Sequence, residues 1–96
     1  MSGNIQVNVK YYGRLRGIIK NPMDTLELVE GSTLRNLVAT LSEKYGPDVS
    51  SVFFDEAGNL RETLPVFVVS GKSTRDITTT LQDRCTVVIM PSLAGG

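Results

Sequence analysis

Ile5, Val7, Val9 and Tyr11 alternate with Gln6, Asn8 and Lys10 at the start of the chain. Alternate side chains of an extended backbone point to opposite faces, so this segment predicts a strand with one buried face. Thr25 to Val29 repeats the pattern, with Leu26 and Leu28 on one side. Between them Tyr12-Gly13-Arg14-Leu15-Arg16-Gly17 and then Asn21-Pro22 read as a loop, which makes the two strands a hairpin. From Leu34 the spacing changes to three and four. Leu34, Leu37, Val38, Leu41 and Tyr45 make one apolar stripe, and Arg35, Asn36, Ser42 and Glu43 face water, the pattern of an amphipathic helix. Ser32 or Thr33 offers the hydroxyl that caps a first-turn amide, and Gly46-Pro47 ends the helix.

Asp48 to Thr63 is irregular, with Val52-Phe53-Phe54 as a satellite of the core, Asp55 to Asn59 as a turn, and room for a short helical turn. Leu64-Pro65-Val66-Phe67-Val68-Val69 predicts a third strand and Ser70-Gly71 a turn. Val87-Val88-Ile89-Met90 is an unbroken apolar run, which predicts a central strand covered on both faces. Strand, strand, helix, strand, strand is too poor in helices for a doubly wound sheet. It predicts an α+β chain of the β-grasp (ubiquitin-like) type, one main helix packed across a small mixed sheet.

The chain has 96 residues, 41% of them apolar, enough for a single domain with one core. Ten basic residues balance ten acidic ones, leaving no net field to hold a phosphate backbone, so nucleic acid is not an expected partner. Met1 to Asn4 lack the start of a secretory signal and no apolar run approaches the length of a membrane span, so a cytoplasmic location without a membrane partner is expected. The lone Cys85 and the absence of His leave neither an internal disulfide nor the usual zinc or Cys-His arrangements, and catalysis by a dyad or triad is nearly excluded. No metal site and no bound cofactor are expected. The chain reads as a protein that lends a group to another protein's active site rather than as an enzyme.

That group is found after the presumed central strand, in Pro91-Ser92-Leu93-Ala94-Gly95-Gly96. Residues 1–91 read as the β-grasp domain and 92–96 as a flexible tail. Pro91 cannot donate to a strand ladder. Five further residues reach about 17 Å when extended, enough to thread a buried site in a partner. Gly95 and Gly96 carry no Cβ, so they pass a narrow slot and leave the terminal carbonyl open to attack. At a glycine usage of about 7%, two successive glycines end a chain by chance roughly once in 200. A carboxylate with a pKa of about 3.5 is anionic and a poor electrophile, so another enzyme has to activate it, most simply by ATP-driven adenylation.

Val9-Lys10-Tyr11-Tyr12-Gly13-Arg14-Leu15-Arg16, Ser32-Thr33-Leu34-Arg35-Asn36-Leu37 and Met90-Pro91-Ser92-Leu93-Ala94-Gly95-Gly96 together resemble the ThiS/MoaD family of ubiquitin-like sulfur carriers, over nearly the whole chain. The resemblance implies that Gly96 is adenylated by a ubiquitin-activating-type adenylyltransferase and converted to a thiocarboxylate with sulfur from a sulfurtransferase or sulfide. The thiocarboxylate then donates sulfur in molybdopterin, thiamine or cysteine synthesis. On the same footing Gly95 and Ala94 give clearance, and Met90, Leu93 and Arg14 contact the partner. The long segment from Gly46 to Leu64 looks less like the shorter thiamine carriers, which leaves two expected partners: a larger synthase subunit or a cysteine-synthase-like enzyme.

The family commonly has Asp-Gly-Asp in the turn before its last strand, where this chain has Asp83-Arg84-Cys85. Arg84 therefore implies a mildly strained turn or a different one. Cys85 reads as a small buried hydrophobe rather than a persulfide or thioester site. Asp55, Glu56 and Asn59 lack the spacing of a calcium loop. Two further readings stay open beside the carrier: a protein modifier joined through Gly96 to lysines, and a plain β-grasp interaction module.

Overall fold

The structure, a computed structural model, describes residues 3–61 and 65–91. The described residues form β1 (Asn4–Tyr11), α1 (Arg14–Ile19), β2 (Met23–Val29), α2 (Leu34–Tyr45), α3 (Pro47–Phe53), β3 (Val66–Val69), β4 (Lys72–Thr74) and β5 (Thr86–Met90). The strands make one mixed sheet in the order β2-β1-β5-β3-β4. β1 runs antiparallel to β2 and parallel to β5, while β3 is antiparallel to both β5 and β4. This is the β-grasp architecture, with α2 as the main helix against one face of the sheet.

The period-two pattern of β1 is realised in full. Val7, Val9 and Tyr11 are buried against the helices, and Lys10 and Gln6 are exposed on the opposite face. On α2 the stripe Leu34, Leu37, Val38 and Leu41 is buried. Full burial of each such side chain contributes about 1.5 to 3 kcal/mol, so this stripe holds the helix to the sheet. Of the two candidate caps, Thr33 is the one used. Its partner is Asn36, whose side-chain oxygen accepts the Thr33 amide at 2.8 Å and its hydroxyl at 3.0 Å. The Leu34 and Arg35 amides donate to the Thr79 and Ile77 carbonyls at 3.0 and 2.9 Å, so the helix start is already occupied by the loop before β5.

Several elements differ from their sequence reading. The stretch after Gly13 is not loop but α1, held by Leu15 and Ile19, one turn apart and both buried. β2 starts at Met23, two residues ahead of Thr25, because Met23 and Asp24 still pair with Lys10 and Val9. The helical turn in the irregular segment is α3, in which Gly46 has φ 87°, Pro47 takes the first position, and Phe53 stacks on Phe67 with ring centroids 6.1 Å apart. Ser70 and Gly71 both have positive φ, the two-residue turn that matches strand twist, and lead into β4. β5 is central as expected but not covered on both faces: Val87 and Ile89 are buried, Thr86 and Val88 half-buried, and Met90 exposed. Leu64, placed in the third strand from sequence, lies outside the described residues.

Candidate functional site at the root of the C-terminal tail

β5 delivers the chain to Met90 and Pro91 at the same end of the sheet where β1 finishes. The Tyr12 amide donates to the Ile89 carbonyl at 3.1 Å, extending the β1–β5 ladder by one bond. Pro91 then blocks further pairing and rests on Gly13. A Cβ built on Gly13 falls 3.1, 3.2 and 3.3 Å from Pro91 Cγ, Cδ and Cβ, and Gly13 itself has φ 67° and ψ −137°. Only glycine occupies that combination of backbone angles and contact without strain. The first turn of α1 is thereby fixed beside Pro91, the last described residue, with Arg14 exposed there.

The face of the sheet turned away from the helices is divided. Over β1 and β2 its middle is polar, where Asn4 Nδ2 donates to Glu27 Oε1 at 2.5 Å and Thr25 Oγ1 to Asn8 Oδ1 at 3.0 Å, with Met23 and Val29 exposed at the two ends of β2. Over β5 and β3 it is apolar, since Met90 pairs with Val66 and Val88 with Val68. Met90 is 42% exposed and Tyr12, next to the ladder's last bond, 47%. Met90 is therefore surface, not core, and stands at the tail end of an apolar strip. Of the site residues expected from sequence, the structure brings Met90 and Arg14 together at one end. Leu93, Ala94, Gly95 and Gly96 lie outside the described residues.

Sequence reasoning missed the support of this end. The Tyr11 hydroxyl donates to Asp24 Oδ2 at 2.9 Å, the Tyr45 hydroxyl donates to the same oxygen, and Lys44 Nζ lies 3.5 Å from Oδ1. One carboxylate thus ties the end of β1, the start of β2 and the end of α2. Burial, the largest single influence, pushes the Asp24 carboxyl up, but the hydrogen bonds from Tyr45 and Tyr11 and the Lys44 charge together hold it below the ordinary aspartate value. Burial and then the bond to Asp24 raise both phenols above theirs. The signal for this network was an Asp at the start of a strand whose neighbours in the pattern are apolar.

Arg84 has φ 65°, so the turn before β5 keeps the left-handed backbone that glycine would take without cost. The Arg84 amide donates to the Gln6 carbonyl at 2.7 Å and Asp83 Oδ1 accepts the Gln6 amide at 2.9 Å, which holds the turn to β1. Cys85 is buried in the core. The described residues assemble no cluster of three or more His, Cys, Asp or Glu fit to hold a metal, and no helix among them is long and apolar enough to cross a membrane.

Fold and site together define a β-grasp protein whose central strand reaches Met90 and Pro91 beside a partly exposed apolar strip. Compared by sequence, the chain matches no protein-family model and none of the curated proteins. Compared by structure, it is similar to small archaeal modifier protein 1 of Haloferax volcanii, at a TM-score of 0.81 and 12% identity over 93% of this chain and 99% of that one. It is also similar to the same-named protein of Methanosarcina acetivorans, at 0.77 and 24% over 98% and 99%. A third similar structure is a putative molybdopterin converting factor subunit 1 of Pyrococcus furiosus, at 0.74 and 24% over 93% and 99%. These likenesses establish the fold, and it is the β-grasp expected from the sequence.

Proposed function

We propose that the chain is a sulfur carrier whose Gly96 carboxylate is adenylated and converted to a thiocarboxylate. The observation that carries this is the place of Gly95 and Gly96 in the sequence, four and five residues beyond a Pro91 that is fixed on Gly13 at the rim of an apolar strip. The resemblance in sequence and the structural likeness to a putative molybdopterin converting factor subunit support it.

In this reading a ubiquitin-activating-type adenylyltransferase takes the tail and supplies the ATP, and the chain itself binds no cofactor. The Gly96 carboxylate oxygen attacks the α-phosphorus and pyrophosphate leaves. Where sulfide is the nucleophile it then attacks the acyl carbon, AMP leaves with the bridging oxygen, and a C–S bond stands in place of a C–O bond. The strip of Met90, Val88, Val66 and Val68 seats the partner, with Arg14 and Leu93 beside it, while Ala94 and Gly95 give clearance. A larger synthase subunit in molybdopterin synthesis, or a cysteine-synthase-like enzyme, receives the sulfur.

The experiment is intact-mass measurement of the protein after incubation with the activating enzyme, ATP and a sulfur source. Exchange of one oxygen for sulfur at the C-terminus is expected, and unmodified protein under every such condition overturns the proposal. A second reading, a protein modifier joined through Gly96 to lysines, is favoured by the likeness to two small archaeal modifier proteins. It predicts heavier conjugates in host lysate that disappear when Gly95 and Gly96 are deleted.

A further inference from the structure

We infer that the protein meets its activating partner through a collar of four cations, Lys10, Arg14, Arg16 and Lys20, and that the partner surface around the tail-binding cleft is rimmed with carboxylates. The inference rests on the carrier reading above. The balanced charge of the chain conceals a separation. Met1 to Met23 holds four of the ten basic residues and none of the ten acidic ones, so the remainder carries six basic against ten acidic.

The fold gathers these four at one end. Lys10 stands on β1 beside Val88 of β5, two residues short of Tyr12, whose amide makes the last ladder bond. Arg14 follows Gly13, which touches Pro91. Arg16 and Lys20 are one turn apart at the end of α1, which buries Leu15 and Ile19 and turns its cations outward. A helix of this length spans about 9 Å, comparable with the screening length of about 8 Å in physiological salt, so the charges act on a partner as one field. All four are exposed, and among the described residues none is in an ion pair, in contrast to Lys44, which pairs with Asp24 outside the run.

The collar sits at the root of the tail, whereas adenylation takes place at its tip, about 17 Å away when the tail is extended. These cations therefore face the rim of the cleft rather than the nucleotide phosphates. Their chemical complement is a set of Asp and Glu side chains there, acting on encounter rate and orientation while the apolar strip supplies the contact area.

The test is ATP–pyrophosphate exchange catalysed by the host's adenylyltransferase, with the carrier varied. For the wild type, KM for the carrier rises as salt is raised. The variant Arg14→Glu/Arg16→Glu/Lys20→Glu raises KM about tenfold or more at low salt with kcat unchanged, and its KM loses most of the salt dependence. Arg14→Lys/Arg16→Lys/Lys20→Arg keeps the wild-type KM, and Arg35→Glu and Lys72→Glu, exposed cations outside the collar, change it by less than about twofold. Exchange by the wild type with a KM indifferent to salt overturns the collar alone, without any variant having to fold. An equal effect of the two outlying substitutions does so too. Absence of exchange with the wild type overturns the carrier reading and the collar with it.

Discussion

Gly13 lies against Pro91 so closely that an added Cβ would stand 3.1 Å from Pro91 Cγ, and it does so at φ 67° and ψ −137°. Gly13→Ala has to bring a methyl group into that contact and hold a backbone that side chains avoid. A loss of about 1 to 3 kcal/mol is expected in denaturant unfolding. Gly17→Ala is the matched control: it lies inside α1 with nothing within 4 Å of the new Cβ, and is expected to gain about 0.5 to 1 kcal/mol. If both variants lose stability equally, the Gly13–Pro91 contact is not what fixes the tail root.

Asp24 makes stability depend on acid. Its folded carboxyl titrates below its unfolded value, so its contribution is full above about pH 3.9 and is lost as pH falls through the lower folded value. Tyr11 and Tyr45 are shifted upward, so theirs is full below about pH 10 and is lost as pH rises through the folded values. Asp24→Asn is expected to lower stability at neutral pH by about 1 to 3 kcal/mol and to flatten the acid limb of a plot of unfolding free energy against pH. An acid limb as steep as the wild type's would show that other carboxylates carry it.

Arg84 holds φ 65° where a side chain costs about 1 to 2 kcal/mol and glycine almost nothing. Glycine also gives the unfolded chain more freedom, which offsets about 0.5 to 1 kcal/mol of that gain. Arg84→Gly is therefore expected to raise stability by up to about 1 kcal/mol, and Arg84→Val to lower it, both read as shifts in the urea midpoint.

The parts of the fold that were legible from sequence are those in which one face is buried over several residues. β1 and α2 follow from spacing alone, because a period of two or of three and four leaves few alternatives; the central place of β5 followed from its unbroken apolar run, although only one of its faces is fully buried. α1 was hidden by Gly13 and Gly17, residues that weaken a helix, and its signal was a single pair, Leu15 with Ile19. β4 was hidden because Lys72-Ser73-Thr74 is an edge strand with no buried pattern. Of the candidate site, the chemistry proposed for the last two glycines was read from residue type and needs no fold, whereas the apolar strip is assembled from two strands about twenty residues apart in sequence. The Asp24 network joins three elements, and its one local sign is an Asp in register with the buried Leu26 and Leu28, which names none of its partners. A total of ten against ten does not display the acid-free stretch from Met1 to Met23, which appears only when charge is followed along the chain.

Under the proposed carrier function, Met90 separates docking from chemistry. Its side chain is 42% exposed at the last position of β5, so Met90→Asp loses part of an apolar contact with Val66 and should lower stability by about 1 to 2 kcal/mol, read separately by denaturant unfolding. On a partner the same change places a carboxylate in an apolar contact, where an unpaired polar group costs about 1 to 3 kcal/mol, or roughly tenfold to a hundredfold in affinity. Deletion of Gly95 and Gly96 has the opposite signature: the strip and the tail root are intact, so the complex still forms, but no acyl group reaches the nucleotide. Isothermal titration with the adenylyltransferase, run beside pyrophosphate exchange, distinguishes the two. Met90→Asp should weaken binding and leave exchange at saturation unchanged, and the truncated chain should bind and give no exchange. Binding of Met90→Asp at wild-type affinity would remove the apolar strip from the interface and leave the tail to be recognised without it.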